Sequence, residues 1–444
     1  MAVESSREQL VNEVKSLLWG STVKEDVFQR WAQGFYFSAH ESTALVQAEG
    51  GPCAVIAPLQ AFILKRLLSE AEVSTWSDIQ PDKSDELLVL SMTEILTQAA
   101  DPTQSRYSVL LVDGPSPSTP NGEVSIDQSN PFAGLVESDS KTRIASKVFH
   151  SCLRIHTLDS KEQVEKFFSD NISVFKGQFG VLLLLYSIIC TKGIPEMKSE
   201  ISDLTDPLIH STFGYGSQSL INLILSGRAV SNVWDHDQDV GGLKLKGIDK
   251  QNEVGFLTLL ETLRYVEVGS FLKSPSHPVW VLGSETHLTV LFSEEKKLVS
   301  AETPAEQAKR VFKKYDNDGN NFILTDALQN VLEELGLFSD TEYVDIIKKK
   351  LDRHNDGIIL LTSFMYEFFP EESRTCPDTF VLYHYNGLPR SNLNNEVKYH
   401  RGQAILLEST VDSILDSNPM LTVLQTKWPS IEVQWDKNQN PSIN

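Results

Sequence analysis

Apolar positions recur at helical spacing along much of the chain. Leu10, Val14, Leu17 and Leu18 form one face of an amphipathic helix over 1–19. Residues 84–100 carry the same period, with Ser84 as the expected N-cap. Helices are also expected over 160–172 and 177–200. The second contains the longest apolar run, Phe179 to Cys190. That run is far shorter than the roughly 18 to 20 residues of a membrane span, so it reads as a fully buried helix. Phe28, Trp31, Phe35, Tyr36 and Phe37 crowd into 26–38, an aromatic density that anchors a core.

Strand-type runs occupy other places. Residues 106–112 read as a short strand. Pro278-Val-Trp-Val-Leu and Thr286-His287-Leu-Thr-Val-Leu-Phe292 read as a hairpin joined through Gly283-Ser-Glu. Phe380–Tyr385, Ala404–Leu407 and Ile431–Trp435 are β-type again and are expected to pair back onto the sheet of the first domain. Between these regions the pattern changes. Helices at 305–315, 326–335, 340–351 and 363–369 bracket loops at 316–327 and 352–363, which matches a pair of EF-hands. The expected organisation is a domain over 1–300, an EF-hand pair over 301–372 and a β segment over 373–444 packing on the first domain. Residues 113–141, rich in proline, serine and acidic side chains, read as a flexible surface insertion.

Composition narrows the class. The 444 residues are 41% hydrophobic and 22% charged, an ordinary globular balance. Sixty acidic residues against 39 basic give a net charge of −21. Such a chain has no electrostatic footprint for nucleic acid or for an anionic membrane. Four cysteines, at 53, 152, 190 and 376, form no CxxC pair and no zinc spacing, which suits a reducing compartment. The polar, acidic N-terminus does not read as a signal peptide. A cytoplasmic or nuclear location, or both, is expected.

Candidate chemistry gathers at Gln47-Ala-Glu-Gly50-Gly51-Pro52-Cys53, where two glycines and a proline run into a cysteine that opens an apolar helix. A thiol in a first helical turn faces backbone N–H groups without intrahelical partners and the positive end of the helix dipole. Both favour thiolate, the nucleophile. The glycines let a substrate backbone approach closely. Gln47 is placed to supply an amide to an oxyanion hole. The competing reading makes Cys53 a small buried hydrophobe capping its helix. Pro58 falls inside that helix and is expected to kink it.

A cysteine nucleophile needs a base, usually a histidine distant in sequence. His287 heads a strand, as in a papain-like scaffold where the cysteine helix packs on a sheet with the histidine at a strand end. Thr289 and Asn232 are candidates for orienting it. Gly214-Tyr-Gly216, opening a short helix that ends near Gly227, lacks the lysine of a P-loop and reads as a turn supporting a site. The EF-type loops are degenerate. The first has Asp316, Asp318 and Asn320, but its glycine stands at position 4 and Ala327 at position 12. The second has Asp352, His354, Asp356 and Gly357, with Ser363 at position 12. Without the bidentate glutamate, calcium binding is expected to be weak or absent, the pair to be structural and no cofactor to be required.

These residues resemble a specific group. Gln47-x-x-x-Gly-Pro-Cys53 and Ser284-Glu-Thr-His287-Leu-Thr-Val are similar to the cysteine and histidine segments of the MINDY family of ubiquitin-specific cysteine proteases. Ser219-Leu-Ile-Asn-Leu, Ala229-Val-Ser-Asn-Val-Trp-Asp and the late EF-hand pair resemble its EF-hand-bearing member. The likeness covers nearly the whole chain and is least distinctive over 113–141. It implies an α+β, papain-like cysteine protease domain with an all-α EF-hand-pair insertion. It also implies a deubiquitinase that removes ubiquitin from polyubiquitin chains joined through ubiquitin's lysine-48, and from ubiquitinated proteins. Cys53 would be the nucleophile, His287 the general base and acid, and Gln47 part of the oxyanion hole. No metal site, nucleic acid or membrane partner is expected. Two other classes compete: an EF-hand adaptor or pseudoenzyme that binds ubiquitin or other partners without catalysis, and a transglutaminase-like acyl transferase.

Overall fold

The structure, a computed structural model, describes residues 2–70, 79–101, 103, 106–112, 144–300, 303–316, 319–370, 376–407, 418–436 and 439–444. The 113–141 insertion lies outside the described residues. The chain divides into two units, one of Met1–Lys296 with Asp378–Asn444, the other of Lys297–Pro377.

The first unit opens with α1 (Ala2–Trp19), α2 (Glu25–Trp31), the short strands β1 (Tyr36–Phe37) and β2 (Leu45–Val46), α3 (Cys53–Glu70) and α4 (Pro81–Ala99). Next come β3 (Tyr107–Val112), α5 (Ser146–Cys152), β4 (Leu153–Leu158), α6 (Lys161–Asp170), α7 (Ile172–Lys176), α8 (Gly180–Lys192), α9 (Ile194–Glu200) and α10 (Gln218–Ser226). They are followed by β5 (Gln238–Val240), β6 (Leu243–Leu245), β7 (Gly255–Thr258), α11 (Leu259–Thr262), α12 (Ser270–Lys273), β8 (Val279–Gly283) and β9 (Leu288–Phe292). The second unit holds α13 (Pro304–Tyr315), β10 (Phe322–Leu324), α14 (Leu328–Glu334), α15 (Thr341–Leu351), β11 (Ile358–Leu360) and α16 (Leu361–Phe368). The chain then re-enters the first unit as β12 (Thr379–Tyr385), β13 (Tyr399–Leu406), α17 (Pro419–Gln425) and β14 (Ile431–Trp435).

The architecture is mixed α+β. Its main sheet has six strands in the order β14-β13-β12-β9-β8-β7, antiparallel except for the β7–β8 pair. Val279, Val281, Val290 and Phe292 point from it into the core that also takes Ala54, Val55 and Leu59 of α3. The alternate residue Trp280 meets Trp428 beyond α17, ring centroids 5.3 Å apart. β8 is therefore buried on both faces, which is why it reads as an unbroken apolar run. Each fully buried aliphatic side chain here contributes about 1.5–3 kcal/mol.

Local rules explain most helix limits, with one correction. α4 starts at Pro81 behind Gln80, and Ser84 lies buried inside the helix instead of capping it. Proline at the first helical position needs no N–H partner and carries a helical φ already, so it outcompetes the serine signal. α8 is buried on all sides over Gly180–Ile189. It stops at Gly193, φ +86°, and α9 continues at 86° to it. No helix among the described residues is long and apolar enough by itself to cross a membrane. α3 runs through Pro58 without interruption.

In the second unit, β10 and β11 pair with Ile323 opposite Ile359, and Phe312 and Phe364 meet at 5.2 Å in a small core. Thr303 and Glu306 form a capping box at α13. Asp316 accepts the N–H groups of Asn320 and Asn321, and Asp352 those of Asp356 and Gly357. Asn321 has φ +62° where Gly357 of the second loop has φ +79°. Asparagine tolerates this left-handed conformation, so the first loop makes its sixth-position turn although its glycine stands two residues earlier.

Candidate active site

Cys53 begins α3, and the segment before it is fastened from several sides. Gln60, further along α3 and buried, holds the incoming chain: its Oε1 accepts the Leu45 N–H at 2.7 Å and its Nε2 donates to the Thr43 carbonyl at 2.9 Å. Tyr385, the last residue of β12, donates its hydroxyl to the Leu45 carbonyl at 2.6 Å. Gln47 N–H donates to the Gly387 carbonyl at 2.8 Å. Residues 45–47 are thus laid between α3 and the end of β12.

The glycines then bring the chain round. Gly51 has φ +132°, and a Cβ there would stand 3.2 Å from the Gly214 carbonyl. Gly216 passes so close to α3 that a Cβ would fall 2.4 Å from Ala54 Cβ. The Gly214-Tyr-Gly216 stretch is therefore a turn packed against the cysteine helix. Ser217 caps α10 and Gly227 closes it in the left-handed region. Arg30 and Trp31 of α2 donate to the Phe213 and Gly214 carbonyls, both at 2.9 Å. They hold up an aromatic wall in which His210, Phe213 and Tyr215 stack at 4.9 and 5.6 Å. A cavity of about 390 Å³ lies between this wall, the Gly50–Gly51 floor, Arg390 and His287.

His287 ends the four-residue turn between β8 and β9, since Gly283 pairs with Leu288. Ser284 Oγ accepts the Thr286 and His287 N–H groups at 3.3 and 3.0 Å and fixes that turn. The imidazole is 5% exposed, and its Nε2 meets Asn386 Oδ1 at 3.0 Å. Asn386 stands one residue beyond β12, whose last ladder pair on this side is Tyr385 with Val290. The register of β12 on β9 delivers it to the histidine across 99 positions of sequence. Neither expected orienter serves. Asn232 donates its amide to the Lys246 carbonyl. Thr289, paired with Leu282 in the ladder, has a buried hydroxyl without a hydrogen-bond partner. Nothing near Asn386 in sequence marks it, because an Asn-Gly after a strand reads as turn chemistry. Only the strand register identifies it.

Of the three residues singled out from the sequence, Cys53 and His287 are linked through Leu288, whose backbone reaches the Cys53 thiol, and Gln47 lies on the segment leading into Cys53. Cys53, 4% exposed, donates to the Gly51 carbonyl at an Sγ–O distance of 3.7 Å. Burial pushes its thiol up to about 11, partly offset by the backbone at Leu288, adjacent to His287, and at Ala54 and Cys53 in the first turn of α3. Burial also pushes His287 down to about 4, against a raising effect of its bond to Asn386. Both shifts favour the uncharged forms, thiol and imidazole. The polarising helix end is present as the sequence suggests, but desolvation outweighs it. Gln47 is buried, with Nε2 donating to the Glu49 carbonyl at 2.8 Å, which leaves the second N–H of its amide for another acceptor.

The comparison with known proteins fits this geometry. Residues 15–322 match the family model described as deubiquitinating enzyme MINDY-3/4, conserved domain. The chain belongs to the MINDY-3/4 family of deubiquitinating enzymes. It is 48% identical over 466 residues to the ubiquitin carboxyl-terminal hydrolase MINDY-3 homolog of Drosophila melanogaster, covering 98% of this chain and 83% of that one. Against ubiquitin carboxyl-terminal hydrolase MINDY-3 of Homo sapiens it is 44% identical over 446 residues, 98% of this chain and 100% of the relative. A probable ubiquitin carboxyl-terminal hydrolase MINDY-4 of Mus musculus is 32% identical over 344 residues, 75% of this chain and 42% of the relative. No solved structure matches. The MINDY-3/4 match ends at residue 322, so Asn386 and the strands that carry it lie beyond the matched span.

Proposed function

We propose that this chain hydrolyses the isopeptide bond at the ubiquitin C-terminus in lysine-48-linked polyubiquitin, through a thioester on Cys53. The observation that carries the reading is the Cys53 thiol, at the start of α3, lying against the backbone of Leu288, next to the buried His287, in a chain of a deubiquitinating family. The Gly50–Gly51 floor and the aromatic wall suit an extended peptide tail ending in small residues. As Sγ attacks the glycine carbonyl, its proton passes to the neutral His287. Gln47 and the Cys53 N–H stabilise the oxyanion. His287 then gives the proton to the departing lysine amine as the C–N bond breaks. Water, deprotonated by the same imidazole, cleaves the thioester and regenerates the thiol. Concerted transfer within a neutral pair suits the opposed shifts of the two groups.

The arrangement of cysteine helix, sheet and strand-end histidine supports a papain-like description, and the second unit is read as a degenerate EF-hand pair. Its first-position carboxylates already hold loop N–H groups, and Ala327 and Ser363 supply no bidentate carboxylate. The reaction is read as needing no cofactor, and the working compartment as cytoplasm, nucleus or both. The test is a panel of defined diubiquitins with Cys53→Ala as control. Cleavage of the lysine-48-linked species by wild type alone supports the reading. Equal cleavage by Cys53→Ala overturns it, and equal cleavage of all linkages removes the lysine-48 preference.

A further inference from the structure

Asn386 makes a set of bonds that leaves its amide one orientation. Oδ1 receives the backbone N–H of Leu388 at 3.0 Å, and Nδ2 donates to the backbone carbonyl of Ser442 at 2.9 Å and to that of Asn444 at 3.4 Å. A backbone N–H only donates and a backbone carbonyl only accepts, so these partners decide which end of the amide is oxygen. The atom facing His287 Nε2 at 3.0 Å is therefore an acceptor. For that contact to be a hydrogen bond, Nε2 must carry the proton. In a neutral imidazole the lone pair is then on Nδ1.

We infer that Asn386, locked by the chain segment at Ser442–Asn444, is a positioning residue that holds His287 as the Nε2–H tautomer with Nδ1 as the catalytic base. The inference rests on the reading of His287 as the base for Cys53. The lock extends further. Asn392 donates Nδ2 to the Asn386 and Leu388 carbonyls at 2.8 and 2.7 Å, which fixes the backbone on both sides of the amide. Ile443, 3% exposed, anchors the 442–444 segment by burial. The base is thereby set by a strand that follows the second unit in the chain and by a segment 155 residues beyond the histidine. In the flipped amide, Nδ2 would face the Leu388 N–H and Oδ1 would face two carbonyls, leaving three buried or partly buried polar contacts mismatched, whereas Nε2 could accept from Nδ2 only as the other tautomer. The same amide that satisfies Ser442 therefore selects the tautomer.

The experiment uses the full chain. Selective 15N-histidine NMR, with His287 identified by its loss in His287→Gln, is expected to show a neutral Nε2–H imidazole in wild type. In Asn386→Ala it is expected to show a mixture of tautomers. Kinetics on a fluorogenic ubiquitin conjugate are expected to show kcat reduced roughly 10- to 100-fold in Asn386→Ala, the range seen when an outer partner fixing a histidine tautomer is removed. KM should change little, and Asn386→Asp, which keeps an acceptor for Nε2–H but loses the donors to Ser442 and Asn444, should recover only part of the loss. Deletion of 442–444 should lower kcat in the same direction, at some cost in thermal stability from the loss of buried Ile443, and should give the same mixture of tautomers. An Nδ1–H tautomer in wild type overturns the inference whether or not any variant folds. So does wild-type kcat in a folded Asn386→Ala. Retained cleavage in Cys53→Ala would instead overturn the catalytic reading, while the tautomer result would stand independently of it.

Discussion

The two units organise polar side chains in opposite ways. In the second unit each loop is built from neighbours: Asp352 bonds N–H groups four and five residues on, and Asp316 does the same. In the first unit the site residues come from positions 47, 53, 287 and 386. Three of them are held by groups distant in sequence: Gln47 by Gly387, His287 by Asn386, Asn386 by Ser442. Local bonds of the first kind are partly solvated and individually weak. Bonds of the second kind are buried, and losing one partner leaves a desolvated group behind. Substitutions in the first unit should therefore cost far more than equivalent ones in the loops of the second.

The largest expected effect is on chemistry. Cys53→Ala should lower chain cleavage about a thousandfold or more, measured by diubiquitin turnover. Glu200 gives the largest expected effect on stability. Its carboxylate is 3% exposed and takes Lys192 at 2.9 Å, Arg228 at 3.2 Å and the Ala229 N–H at 2.6 Å. Removing it leaves two cations without their buried partner, so Glu200→Ala should cost about 3–5 kcal/mol in urea denaturation. Gly216→Ala comes next. The added methyl meets Ala54 Cβ at 2.4 Å, and overpacking of this kind should cost about 1–3 kcal/mol and lower activity through the α3 start.

Acid provides a graded test. Burial lowers His150 and His287 to about 4, so between the ordinary histidine value and about 4 the unfolded chain binds more protons than the folded one. Stability should be intact above about pH 6.5 and decline as pH falls from there to about 4, read as urea midpoints across that range. The smallest expected effect is in the second unit. Asp352→Ala should lower local stability by about 1 kcal/mol, seen as faster hydrogen exchange in 352–357, and leave cleavage within about twofold. A loss of stability as large as that from Glu200→Ala would break the contrast between the units.

The same contrast explains what is legible in the sequence. The helix–loop–helix repeats can be read because their signals lie within a dozen residues, and even the displaced glycine is absorbed by Asn321 next to the turn. The cysteine helix, the β8–β9 hairpin and the late strands can be read from periodicity and turn residues. The start of α4 differs from its sequence expectation because Pro81 overrides Ser84. The helix end that favours thiolate can be read in the motif, whereas the burial that works against it depends on elements far along the chain. For the orienting residue the motifs point to Thr289 and Asn232, whereas it depends on which residue of β12 faces β9. Tyr385 opposite Val290 decides that, and no local pattern specifies a strand register formed across an intervening unit.

The most direct test of the central claim is covalent labelling by ubiquitin carrying a C-terminal electrophile, read by intact mass and peptide mapping. One adduct is expected on wild type, mapped to Cys53, none on Cys53→Ala, and an undiminished adduct on Asp352→Ala. An adduct on another cysteine, or equal labelling of Cys53→Ala, would contradict it.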